Sequence, residues 1–124
     1  MNLYSQSMEF IFNLIVVLHF VGLASLLGGF IVQMKSPDKG VNPAMLHGAL
    51  TQLVTGVLMV GIVESGALDE EEPLNMSKIG TKLIVVLIIT ALAWVGRKKP
   101  APQVGLWGAI GALTLLNVVL AVFW

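Results

Sequence analysis

Four long apolar stretches, separated by short polar ones, organise the chain. They cover Phe10–Met34, Pro43–Val63, Met76–Gly96 and Pro102–Phe123. The first contains no Asp, Glu, Lys or Arg, and a single histidine, His19. Each is about 20 residues or longer, enough for a helix to cross a hydrocarbon core of about 30 Å. Backbone polar groups in lipid must be satisfied within the chain, so these stretches predict helices. The polar segments carry the punctuation. Gln33–Asn42 is a turn with Pro37 and Gly40, and Asn42 followed by Pro43 is a good N-cap with proline at the first helical position. Leu68–Asn75 is a polar loop, after which Asn75 or Ser77 can cap the third helix. Arg97–Pro102 stops that helix, and Pro102 can open the fourth. The expectation is an all-α fold, one domain over residues 1–124, in which short loops make sequential helices antiparallel neighbours.

Composition strengthens that picture. The chain is 56% hydrophobic and only 11% charged, against about 25% charged in a soluble domain. Net formal charge is zero, which leaves no basic face for nucleic acid. Absence of cysteine excludes disulfides, thiolate metal sites and thiol nucleophiles. No basic residue precedes the first stretch, and it is long enough to span, so it does not read as a secretory signal. Lys35 and Lys39 lie in the first turn and Arg97, Lys98 and Lys99 in the third, whereas Lys78 and Lys82 lie toward the other side. The positive-inside rule then predicts both basic turns in the cytoplasm and both termini outside, in a bacterial inner (plasma) membrane. Trp94 and Trp107 would mark the inner interface; Tyr4, Phe10 and Trp124 the outer one.

Depth along the helices suggests where chemistry could sit. His19 lies about 15 residues from the inner end of its stretch, roughly 22 Å above the cytoplasmic boundary. Leu58–Met59, Lys82 and Asn117 fall near the same height, with Glu64 about two turns above. Ionisable groups inside a membrane are costly and are functional candidates by default. The plainer reading is that His19 bonds Asn117 while Lys82 snorkels toward Glu64. A second layer nearer the cytoplasm comprises Ser25, His47, Thr51, Gln52, Thr55 and Thr90, residue types that often link helices in membranes. Roughly 16 Å separates the two histidines along the membrane normal, too far to ligate one haem iron. His19 with Met59 could still hold haem or copper, since imidazole and thioether suit both, but no cofactor is expected. Gly105, Gly108, Gly111 and Ala112 give the fourth helix a close-packing or partner face. The acidic run Asp69–Glu72 reads as a solvated loop.

Three segments carry a family resemblance: LHFVGLASLLGGF, MLHGALTQLVTGVLMV and KLIVVLIITALAWVGRKK. They resemble the core of the CopD-like membrane families, which include copper-resistance D proteins and HemJ-type protoporphyrinogen oxidases. The resemblance would match His19 to a helix-1 histidine, Gly28–Gly29 to the small pair after it, Lys82 to a lysine opening a later helix, and Arg97 to that helix's basic end. It implies haem or copper handling. More loosely, the chain resembles four-helix membrane proteins of actinobacteria, some of which accompany respiratory complexes. Together these readings predict a non-catalytic accessory subunit of a larger membrane complex, in contact with lipid and other membrane subunits. The alternatives are a CopD-like haem- or copper-handling protein using His19, Met59 and Lys82, and a proton-linked carrier using His19, Lys82 and Glu64.

Overall fold

Four α-helices form a bundle in a computed structural model that describes residues 3–66, 68 and 76–124. They are α1 (Leu3–Ile31), α2 (Pro43–Glu64), α3 (Met76–Gly96) and α4 (Val104–Phe123), each long and apolar enough to cross a membrane. The acidic run Asp69–Glu72 and the capping candidate Asn75 lie outside the described residues. Neighbours in sequence are neighbours in space, and α4 returns to touch α1 more slightly than any other adjacent pair.

The bounds of α1 and α4 differ from the sequence reading. α1 starts at Leu3, well before Phe10, and ends at Ile31, before Met34. The early start adds LYSQSME, which is polar but not helix-breaking. α4 starts at Val104, with Gln103 as its non-helical N-cap: the Gln103 carbonyl accepts from Trp107 N at 2.9 Å and its N–H donates across the bundle to Lys39 O at 2.6 Å. The α2 start is as the sequence predicts: Asn42 Oδ1 accepts from Met45 N at 2.9 Å, with Pro43 in the first turn.

The α1–α2 hairpin is held at backbone distance. A Cβ added to Gly48 would overlap Leu26 N and lie 2.7 Å from Gly22 O. One added to Gly22 would lie 2.7 Å from Thr51 Cγ2, and one on Gly29 the same distance from Asn42 Oδ1. Apolar burial does not drive helix association in lipid, so close contact and hydrogen bonds carry it. Here Ser25 Oγ donates to Ala44 O at 2.8 Å. Gln33 closes the turn by donating to Gly29 O and Gly40 O while accepting from Gly40 N, all at 2.9 Å.

At the end carrying the two basic turns the bundle has a floor. Phe30 stacks on Trp107 with ring centroids 4.4 Å apart, and Trp107 Nε1 donates to Phe30 O at 3.0 Å. Lys39 Nζ lies 5.4 Å from the Trp107 ring centre. Above this floor Leu26, Met45, Ala49, Ile89 and Ile110 form the buried core. The outer faces are apolar and exposed, as at Ile84, Leu87, Leu115 and Val119, which suits contact with lipid rather than water.

Candidate functional site

Above the core, toward the end carrying the termini, the four helices part around a cavity. Levels counted from the floor explain which residues meet there. His19 is twelve residues above Ile31 in α1, and Thr55 twelve above Pro43 in α2. Asn117 and Lys82 lie at comparable heights, thirteen residues from Val104 and fourteen from Gly96. The sequence reading counted from Met34, and that offset moved the estimated partner on α2 to Leu58–Met59, about one turn too high.

His19 Nδ1 and Thr55 Oγ1 are 2.6 Å apart. Thr55 Oγ1 also lies 2.6 Å from Thr51 O, the usual acceptor for a helical threonine hydroxyl. With its proton there, Thr55 accepts from the ring, and the network assigns the imidazole proton to Nδ1 and leaves Nε2 as an acceptor. The expected His19–Asn117 bond is replaced by this one. Gln52 Nε2 donates to the His19 carbonyl, pinning the same turn of α1 to α2.

The cavity has two adjoining lobes that share His19, Gln52, Val86, Asn117 and Ala121. One, of about 190 Å³, reaches between α1 and α4 past Phe20 and Val122. The other, of about 260 Å³, is bounded by Met59, Ile79 and Lys82. His19, Met59, Lys82 and Asn117, on four different helices, thus line one space. Asn117 Oδ1 is buried within the bundle without a hydrogen-bond partner. A buried amide atom left unpaired costs about 1–3 kcal/mol and points to a missing partner.

The remaining candidates are distributed differently. Glu64 is exposed at the end of α2 and lines neither lobe. His47 is exposed, Thr51 half-buried and Thr55 buried. Their four-residue spacing advances about 40° per step, so one stripe turns from the outer face to the inner. Gln52 and Thr55 belong with His19 rather than with a separate inner layer. Ser25 joins the hairpin, and Thr90 Oγ1 lies 2.8 Å from Val86 O in its own helix and 3.4 Å from Ala49 O on α2. Gly111 packs on Phe30, whereas a Cβ on Gly105 or Gly108 would meet nothing within 4 Å, and Ala112 is exposed. Trp107, expected to mark the inner interface, is stacked on Phe30. Arg97 lies over the Trp94 ring, 3.7 Å from its centre.

The partner that sequence reasoning missed, Thr55, carried a signal: it stands at the His19 level once true helix ends are used. The Gln52 bond had none, because its acceptor is a backbone carbonyl. No family model, curated protein or solved structure matches the chain.

Proposed function

We propose that this protein is a small, non-catalytic membrane subunit whose work is to hold a ligand in the His19 cavity. One observation carries the reading: His19, Met59, Lys82 and Asn117 converge on a single apolar-walled space within the bundle. A largely preformed apolar pocket with a few converging polar groups is the usual form of a small-molecule site. The outward face of Gly105, Gly108 and Ala112 supplies a surface for attachment to another membrane protein. Assignment of that neighbour to a respiratory assembly, and of the chain to a bacterial inner membrane, rests on the resemblance and on charge pattern. The protein released in native lipid discs should carry a stoichiometric small molecule detectable by mass spectrometry, lost in His19→Ala. Discs that carry no ligand at all, from protein shown to be folded, would refute this reading.

A second reading is favoured by Met59 lining the same lobe as His19. Imidazole Nε2 and a thioether are a ligand pair for Cu(I), and one histidine with a methionine also serves haem. Among the described residues no three His, Asp or Glu side chains gather as a metal cage, so this reading stands on that pair. Elemental analysis and a visible spectrum of the same discs separate it from the first.

The proposed orientation places the basic turns in the cytoplasm. Cysteine at position 36 should resist a membrane-impermeant thiol label in intact cells, and cysteine at position 69 should react. Reaction at position 36 from outside would reverse the topology.

A further inference from the structure

We infer that the cavity is built for the hydroxyl-bearing ring of a membrane-soluble phenol or hydroquinone; this rests on the ligand-holding reading above. With the Thr55 hydroxyl on Thr51 O, the His19 proton is assigned to Nδ1, so the imidazole presents a lone pair that takes a donor from an occupant. Asn117 contributes a buried amide atom with no protein partner. Whichever way that amide is turned, one of its atoms waits for a hydrogen bond. A carbonyl-only molecule leaves the His19 lone pair unpaired whichever way the amide is turned, whereas a hydroxyl donates to His19 and its oxygen can still accept from the Asn117 amide turned to present Nδ2.

Size and access narrow the class. The lobe of about 190 Å³ is on the scale of a cavity of about 150 Å³ that accepts a benzene ring. Leu23, Leu26, Val86, Ile89 and Val118 give it aliphatic walls. Its lining includes Phe20 and Val122, which are 63% and 70% exposed on the faces of α1 and α4. The ring can therefore lie inside while an apolar tail leaves between these helices into lipid. Lys82, in the adjoining lobe, selects among hydroxyls. A phenolic oxygen tolerates negative charge far better than an aliphatic one, so an ammonium nearby favours the phenol.

The test uses the full chain in discs of uncharged lipid, with three probes: a decyl-substituted hydroquinone, the matching quinone, and a decyl-substituted cyclohexanol. Calorimetry gives affinities, and ¹⁵N imidazole resonances are read in His47→Gln protein, where His19 alone reports. The hydroquinone should bind about tenfold or more tightly than the quinone, which leaves the His19 acceptor unpaired, and more tightly than the alcohol, whose oxygen gains less from the Lys82 ammonium. The His19 Nε2 resonance should move on binding while Nδ1 stays protonated. Asn117→Leu, which leaves the α1–α2 contact untouched, should weaken hydroquinone binding about tenfold with the fold retained. Equal affinity for quinone and hydroquinone, or an unmoved Nε2 resonance at saturation, would overturn the inference. A His19-dependent ligand of another class in native discs would overturn it while leaving the ligand-holding reading intact. Stoichiometric copper lost in both His19→Ala and Met59→Leu would overturn it in favour of the metal.

Discussion

Gly48→Ala should destabilise the protein by about 2–3 kcal/mol, the upper part of the range for overpacking. The added methyl would meet Leu26 N, Gly22 O and Leu26 Cα, all backbone atoms, so no side-chain rotation can relieve the overlap. The helices must separate, which strains the Ser25–Ala44 and Gln52–His19 hydrogen bonds together. Gly28 and Gly61 supply the contrast, because nothing lies within 4 Å of a Cβ at either. Alanine is the better helix former by about 1 kcal/mol, so Gly28→Ala and Gly61→Ala should be neutral or stabilising. Reversible unfolding in mixed micelles measures all three. Equal stability of the Gly48 and Gly61 variants would show that α1 and α2 do not meet at backbone distance.

Gly111→Leu and Gly108→Leu, three residues apart on α4, should behave as opposites. A side chain at 111 would occupy the position of the Phe30 ring, itself held by the stack on Trp107. Losing that stack costs about 0.5–1.5 kcal/mol, and overpacking adds about 1–3 kcal/mol. The isolated protein should therefore lose much of its stability in detergent. Position 108 is open; leucine there should leave folding unchanged and reduce recovery of a partner that uses this face. An unchanged fold in the Gly111 variant would remove the Phe30 floor from the account. Unchanged co-purification in the Gly108 variant would remove the α4 surface.

The spans were legible because each is a run of apolar residues bounded by proline, asparagine or charge, and lipid permits such a run few structures other than a helix. Helix ends were less so. Hydropathy reports what lies in the hydrocarbon, whereas α1 continues through polar residues back to Leu3, and α4 begins only after Gln103, whose N–H donates to Lys39 O. In the candidate site, His19, Lys82 and Asn117 could be matched by depth from residue counts alone. Direction around the helix axis could not. It depends on how the glycine contacts of α1 and α2 set their rotation, and it turned His47 outward and Thr55 toward His19.

The floor that ties the basic turns together also makes the bundle a lever. Gln103 bonded to Lys39 and Phe30 stacked on Trp107 join the two hairpins at one end. α1 and α4 touch each other least of the adjacent helix pairs. Twenty residues make α4 about 30 Å long. A tilt of about 5° pivoting on the floor would carry its far end about 2.6 Å, close to the width of a water molecule. At the height of Asn117 the same tilt opens the seam by about 1.7 Å. Because Phe20 and Val122 line the lobe from α1 and α4, the tilt of α4 and the width of the cavity are geometrically coupled.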